Sequence, residues 1–201
     1  MKARQDMYKQ CKTERSEARQ RLIENTLFDM MRHGSYDDIT VTELCDVLKM
    51  PRKAFYRYFD DKDSALRALI AHTLEDYVKT PVDTTGPRYL SKELSAFFNF
   101  WIEKRELLEA LDRNGRLTEI MTLSLEFPLD TVVSLDKLLP NEEPAMRDKV
   151  YRFAIGGLIS IVIEWFRDNF ATPVDEITRL AVRVLTKPPF PILTQFGMTD
   201  F

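Results

Sequence analysis

Four side chains within one short stretch have the chemistry to bind an anion: Arg52, Lys53, Tyr56 and Arg57. On a helix with about 3.6 residues per turn, these four fall on a single arc of about 140°. Guanidinium and ammonium groups can donate hydrogen bonds to guanine O6 and N7, and a phenol suits a phosphate oxygen. The stretch therefore has donors for the edges of bases and for a phosphate backbone.

The other side of the same helix is aromatic, because Phe55 and Phe59 fall together beside that arc. Many surface helices carry Arg and Lys on their solvent-facing side, so the charge alone also fits an ordinary exposed helix. The preceding residues add specificity. Thr40 to Glu43 has the form of a capping box, which begins a short helix, and Pro51 suits the start of the next one. A short helix, a tight turn and a basic aromatic helix from Arg52 to Phe59, in this order, predict a helix-turn-helix motif.

The rest of the chain must position this motif, and its pattern is helical. Glycine is scarce, with 6 residues in 201, and long stretches with a period of 3.6 dominate. We predict an all-α protein with an N-terminal three-helix helix-turn-helix head and a C-terminal helical bundle domain. The predicted ranges are a polar N-terminal arm (1–15), the DNA-binding head (16–68), a helical ligand-binding and dimerisation domain (69–186) and an irregular tail (187–201). Within the body we expect helices at Tyr89–Lys104, Glu106–Arg113, Leu117–Leu139 with a disruption at Pro128, Pro144–Phe170 and Val174–Thr186.

Charge and hydropathy exclude several classes of protein. The net charge of −3 rules out a basic nucleic-acid coat protein, yet residues 1–21 hold seven Lys and Arg against three Asp and Glu. This skew suits a small anion-binding head on an acidic body. The longest apolar run, Phe153 to Phe166, is too short to span a bilayer and includes Glu164. With a polar, charged N-terminus, we expect a cytoplasmic protein with no membrane contact.

The residues also offer little for enzymatic or metal chemistry. His33 and His72 are isolated, and Cys11 and Cys45 lack the spacing of metal ligands, so we interpret them as reduced thiols. The chain has no nucleophile elbow, P-loop or dinucleotide fingerprint. We therefore expect no enzyme, no catalytic residue, no cofactor and no metal site.

Two segments resemble the DNA-binding domain of the TetR family: Ile39 to Cys45 and Ala54 to Leu66. That family typically has a threonine that opens helix 2, an aromatic run in helix 3 and a lysine at the start of helix 4. Thr40, Tyr56 to Phe59 and Lys62 match these features. The resemblance covers roughly residues 16–68. The turn departs from the pattern, with Lys49 where a glycine is usual and Pro51 where a small polar residue is usual.

The resemblance implies a transcriptional regulator, usually a repressor, that binds double-stranded operator DNA. It places Thr40 and Lys62 on phosphates, and it turns four further residues toward base edges or nearby phosphates. Tyr56 and Tyr58 would pack on the DNA backbone. The implied DNA-binding residues are Thr40, Thr42, Arg52, Lys53, Tyr56, Arg57, Tyr58 and Lys62.

A dimer is expected, since one head contacts few base pairs. The run from Phe153 to Ile161 is apolar nearly all round and contains small residues, so it must be buried, either within one chain or against a second copy. The resemblance favours the second copy, because TetR-like proteins usually dimerise through their last two large helices. The predicted interface residues are Gly156, Gly157, Ile161, Trp165, Leu180 and Val184.

Aromatic residues crowd the middle of the chain. One interpretation is an apolar effector pocket lined by Phe97, Phe98, Trp101, Met121, Phe127 and Phe153, and the other is ordinary core at helical spacing. The resemblance implies a small-molecule effector whose binding changes the spacing of the two heads. The alternative is a helical protein-interaction regulator that responds to no small molecule.

Overall fold

The structure, a computed structural model, describes residues 8–9, 11, 13–82, 88–127 and 143–187. In this part of the chain every regular element is a helix, so the predicted all-α class is confirmed. The helices are α1 (Glu14–His33), α2 (Val41–Val47), α3 (Arg52–Phe55), α4 (Lys62–Lys79), α5 (Tyr89–Glu103), α6 (Arg105–Arg113), α7 (Thr118–Glu126), α8 (Pro144–Arg167) and α9 (Val174–Thr186). None of them is both long enough and apolar enough to cross a membrane.

The head consists of α1 to α3 and the first turns of α4. α1 begins at a capping box in which Thr13 accepts from the main chain of Ser16, so it starts inside the segment predicted as an arm. Its side chains Ile23, Leu27 and Met31 are fully buried, at the i, i+4 and i+8 positions that place them on one face. This face forms the core on which the helix-turn-helix motif rests.

The turn between α2 and α3 keeps its geometry without a glycine. The N–H of Lys49 donates to the carbonyl of Asp46, and the N–H of Met50 donates to the carbonyl of Cys45. This is the Schellman pattern, which needs a left-handed residue after the helix. Lys49 supplies it with φ 49°, at a cost of roughly 1–2 kcal/mol for a residue with a Cβ. The departure from the family pattern at Lys49 therefore leaves the turn intact.

The helix α3 is shorter than predicted. It was expected to extend to Phe59, but regular helix ends at Phe55 and the chain continues in turns. The N–H groups of Tyr58 and Phe59 both bond to the carbonyl of Phe55, at 2.8 and 3.1 Å. Asp61 then caps α4, because its side chain accepts from the N–H of Ser64. The chain must therefore change direction within two residues of Phe59.

The body helices follow the prediction closely. α5, α6 and α9 each agree with the predicted bounds to within one residue. α8 ends at Arg167, three residues early, because Asn169 and Phe170 adopt left-handed φ values of 54° and 56°. The remainder of the predicted helix beyond α7, with Pro128, lies outside the described residues. So do most of the predicted arm and all of the predicted tail except Lys187.

The boundary predicted between residues 68 and 69 falls inside α4. This helix is continuous from Lys62 to Lys79 and packs against α1 of the head and α7 of the body. Its buried side chains run along nearly its whole length, including Leu66, Ile70 and Leu74. α4 is therefore shared by the head and the body.

A second connection joins the end of α6 to the loop before α2. Tyr36 in that loop is 1% exposed, and its N–H donates to Asn114 Oδ1 at 2.6 Å. The amide nitrogen of Asn114 donates to the carbonyls of Ala110 and Met31, at 2.7 and 3.3 Å. The guanidinium of Arg116 lies 4.6 Å from the centre of the Tyr36 ring. Residues at the end of α6 thus bind the loop that leads into the helix-turn-helix motif.

Candidate nucleic-acid interface

The α3 segment divides into a buried and an exposed face, as predicted. Phe55 and Phe59 are 0% and 1% exposed, with ring centres 5.7 Å apart in the head core. The exposed face carries Arg52, Lys53, Tyr56 and Arg57. Because the two phenylalanines fix the segment from inside, the four polar side chains form one outward-facing set.

Aromatic rings orient the two guanidinium groups of this set. Arg52 Nη2 donates to Tyr56 Oη at 3.2 Å, and Arg57 Cζ lies 6.0 Å from the ring centre of Tyr58. Tyr56 itself stands edge-on to Phe55, with ring centres 5.5 Å apart. Cation–π contacts of this kind restrict a long side chain while leaving its other N–H donors available.

The start of α2 is exposed, with both predicted threonines, Thr40 and Thr42, at the surface. Thr40 caps the helix: its main-chain N–H and its hydroxyl both donate to Glu43 Oε2 at 2.9 Å. These two bonds hold the pKa of Glu43 below its usual range. In the unbound chain the hydroxyl proton of Thr40 is therefore already committed to Glu43, whereas the hydroxyl of Thr42 lies exposed one residue into the helix.

Lys62 takes a different position from the one expected for a phosphate contact. Its Nζ donates to the carbonyls of Tyr36, Ile39 and Asp37, at 2.7, 2.9 and 3.1 Å. It also lies 4.5 Å from the centre of the Tyr36 ring. An ammonium group has three N–H donors, so all three are used. Lys62 therefore fixes the loop between α1 and α2, and through this loop it positions the helix-turn-helix motif.

The residues predicted to line an effector pocket do not all come together. Phe97, Phe98 and Trp101 are buried on α5, and neighbouring rings lie 5.3 to 6.4 Å apart. Phe127 is buried and Met121 packs partly buried against the core. Phe153 is 81% exposed on the outer side of α8 and so lines no interior space in the single chain. It points outward because the buried positions of α8 are Ile159, Val162 and Trp165, on the opposite phase of the helix.

The predicted dimer residues differ in how far they are buried. Gly157 and Val184 are exposed, and Gly156, Ile161 and Leu180 are half-buried. Trp165 is 4% exposed within its own chain: its Nε1 donates to the carbonyl of Thr172 at 2.8 Å, and its ring stands edge-on to Phe98. Trp165 is therefore a core residue that stabilises the turn after α8.

Sequence reasoning missed the contacts that hold the motif on the body. Tyr36 and Asn114 are 78 residues apart, and no local pattern connects an asparagine after one helix with a loop in another domain. No sequence motif pointed to Arg116 as a cation–π partner of Tyr36 either. The signal that the sequence did offer was an aromatic residue, Tyr36, among the polar residues between two capped helices.

Comparisons with known proteins agree with this architecture. Among solved structures, the chain is similar to the dihydroxyacetone kinase operon activator DhaS, with a TM-score of 0.55 and 16% sequence identity. The match covers 89% of this chain and 96% of that protein. At this identity the likeness shows the fold alone, which is all-helical in the described part of the chain. No family model and no curated protein matched the sequence.

Proposed function

We propose that this chain is a transcription regulator that binds double-stranded operator DNA as a homodimer. The observation that carries the proposal is the outward set of Arg52, Lys53, Tyr56 and Arg57 on a segment fixed from inside by buried rings. A short element of this kind, supported by two helices, fits the major groove. Bidentate contacts to guanine contribute about 1–3 kcal/mol each to discrimination between bases, so two such heads suffice for a specific site.

Within the proposed interface the residues divide the work. Arg52, Lys53 and Arg57 contact base edges or adjacent phosphates, and Tyr56 and Thr42 contact the DNA backbone. Tyr58 is half-buried and supports Arg57. Thr40 and Lys62 support the interface without contacting DNA, because their hydrogen-bond donors are engaged with Glu43 and with the loop carbonyls. This assignment keeps six of the eight predicted residues at or beside the DNA.

The second copy is proposed to pack on the outer face of α8 and α9. Four of the seven large apolar side chains that the described part of the chain exposes lie on these two helices: Met146 and Phe153 on the outer face of α8, and Val184 and Leu185 in the last turn of α9. On α8 the stripe continues from Phe153 through Gly157, where an added Cβ would meet nothing within 4 Å. Exposed apolar patches on a regulator of this size mark a protein contact, and a contact between identical faces is closed by a two-fold axis.

We further propose that the dimer represses transcription and that a small molecule releases it. Three buried polar atoms of the body support an interior ligand, since Trp101 Nε1, Ser124 Oγ and Thr178 Oγ1 lack a hydrogen-bond partner within the described structure. Buried polar atoms normally have one, from protein, water or ligand. Release requires that the ligand bind more tightly to the conformation with low DNA affinity.

The alternative is a regulator that acts through protein partners without an effector. The close edge-on packing of Phe97, Phe98 and Trp101 favours it, because rings in mutual contact fill the space that a ligand would need. A thermal-shift screen of small metabolites separates the two. Ligands that raise the melting temperature and lower DNA affinity support the effector, and a screen without any such ligand supports the alternative.

The function itself is tested by selecting genomic fragments that the purified protein retains. The wild type should enrich a short inverted repeat, while the double variant Tyr56→Ala/Arg57→Ala should enrich none and remain a folded dimer. Lys187→Ala, at the end of α9, is the matched control that removes one cation far along the chain. A reporter driven by the enriched site then gives the direction of regulation. Equal enrichment by wild type and double variant would overturn the interface.

A further inference from the structure

A buried glutamine anchors the segment that precedes α1. Gln20 is 1% exposed, and its amide nitrogen donates to the carbonyl of Lys9 at 3.1 Å. Its amide oxygen accepts from the thiol of Cys11 at 3.2 Å. Both ends of one buried side chain are thus used to hold the N-terminal segment on α1. Because a buried amide needs these partners, the main chain of Lys9 has a defined position.

Tyr8 fixes the same segment against α4. Its ring stands at 61° to the ring of His72 with centres 4.1 Å apart, and its hydroxyl donates to the carboxylate of Glu75. His72 in turn bonds to Glu24, which is 0% exposed, at 2.8 Å. Lys9 is therefore held between two anchored neighbours, Tyr8 before it and Cys11 after it.

From this position the side chain of Lys9 reaches the end of the α3 segment. Its Nζ lies 2.5 Å from Asp60 Oδ1, and Asp60 follows directly after Phe59. The carboxylate of Asp60 is 76% exposed and follows Arg57 of the outward set by three residues, so its negative charge would repel DNA phosphates bound there. Lys9 cancels that charge. Exposed ion pairs contribute little to folding stability. Stability alone therefore does not explain why buried contacts hold Lys9 in reach of Asp60.

We propose that Lys9 is a DNA-contacting residue that the N-terminal segment delivers to the edge of the helix-turn-helix motif. The inference rests on the proposed function and adds a contact from outside the motif. As DNA approaches, the ammonium group bridges Asp60 and a backbone phosphate. The contact carries no base specificity, because an ammonium on a phosphate reads charge alone.

The salt dependence of DNA binding tests the proposal without knowledge of the operator. The probe is a fluorescently labelled mixed-sequence duplex, with affinity measured by anisotropy over a series of KCl concentrations. Each phosphate contact contributes about 0.9 to the slope of log K against log[KCl]. Lys9→Gln should reduce the slope by about that amount. Lys187→Gln makes the same change in net charge on the body and should leave the slope unchanged.

Asp60→Asn separates a DNA contact from a structural ion pair. If the pair only stabilises the head, Lys9→Gln and Asp60→Asn break it equally and should weaken binding alike. If Lys9 contacts phosphate, Asp60→Asn should instead strengthen binding, because the cation remains and the repelling carboxylate is gone. Gln20→Leu removes the anchor and should reproduce the loss of slope with unchanged helical content by circular dichroism.

The outcomes keep this inference apart from the proposed function. An unchanged slope in Lys9→Gln, or a loss of affinity in Asp60→Asn equal to that in Lys9→Gln, overturns the role of Lys9 while DNA binding stands. An unchanged slope in Gln20→Leu overturns the role of the anchor. A wild type that binds neither the mixed-sequence duplex nor any genomic fragment overturns DNA binding itself.

Discussion

The side-chain carbonyl of Asn114 accepts a 2.6 Å hydrogen bond from the main-chain N–H of Tyr36, across the junction between body and head. Tyr36 is fully buried, and its hydroxyl donates to Asp63 Oδ1 at 2.6 Å at the start of α4. One asparagine of the body therefore reaches the loop that leads into the helix-turn-helix motif. The orientation of that motif depends on a contact that lies outside it.

Asn114→Ala should destabilise the protein by about 1–3 kcal/mol, because it leaves buried main-chain groups of Tyr36 and Met31 without their partner. Urea unfolding followed by circular dichroism measures the change. Asn114→Asp retains the acceptor for Tyr36 but places an anionic oxygen against the carbonyls of Ala110 and Met31, so it should also unfold at lower urea than the wild type. An alanine variant as stable as the wild type would contradict the role of this contact.

Lys49→Gly should stabilise the protein by roughly 1 kcal/mol, since it removes the strain of a left-handed residue that carries a Cβ. Lys49→Ala is the control, because it removes the same charge and keeps the Cβ, and it should show no such gain. Thermal unfolding of the three proteins at one pH measures the difference. If glycine and alanine shift the melting temperature equally, the left-handed turn is not the cause.

The carboxyl group of Glu43 should make the free energy of unfolding depend on pH in the acidic range. Bonds from Thr40 hold its pKa below the usual value, so ionised Glu43 stabilises the folded state above the unfolded-state pKa of about 4.3. This contribution is lost as the pH falls through the lower folded-state pKa. The advantage of wild type over Glu43→Gln in free energy of unfolding should therefore shrink in that acidic range.

Glu17→Gln, in the first turn of α1, is the matched control for this pH dependence. Thr40→Val removes the hydroxyl donor and retains the main-chain N–H, so it should diminish the pH dependence without abolishing it. Denaturant unfolding at a series of pH values measures all four proteins. A wild-type advantage that stays constant between neutral and strongly acidic pH would show that Thr40 does not shift the pKa of Glu43.

Gly157→Trp should weaken the dimer, because it places a large ring on the outer face of α8 at the proposed two-fold contact. Gly156→Ala is the neighbouring control: its Cβ would lie 3.6 Å from Leu125 Cδ2 within the same chain, an ordinary contact. Sedimentation equilibrium gives the dimer dissociation constant of each. If Gly156→Ala weakens association and Gly157→Trp does not, the second copy packs elsewhere.

Much of the helical layout could be predicted, because hydrophobic periodicity and capping residues are local. The start of α2 at Thr40 and the burial of Phe55 and Phe59 follow from such signals. The turn also departs from the TetR pattern at Lys49, yet Lys49 adopts the left-handed conformation that a glycine would supply there. Local chemistry thus accounts for the motif and for its fixed face.

Where the structure differs from the expectations, the differences concern the direction of a side chain or a distant contact. Lys62 carries the right charge for phosphate, but the carbonyls that bind it come from a loop more than twenty residues away. Phe153 was grouped with other aromatics by type, although its helical phase, opposite to Ile159 and Val162, already excluded it from the interior. Sequence order also hid Lys9, which is brought to Asp60 by a glutamine on α1.

The shared helix α4 has a consequence for how the molecule can be divided. Leu66 and Ile70 complete the core around α1, while further along the same helix Tyr77 packs against Phe97 and Phe100 of α5. A cut after residue 68 would remove Ile70 and His72 from the head and leave α1 without half of its partner. Head and body should therefore melt in a single calorimetric transition, and a truncated head should not fold alone. A destabilising substitution in the body would then unfold the helix-turn-helix motif as well.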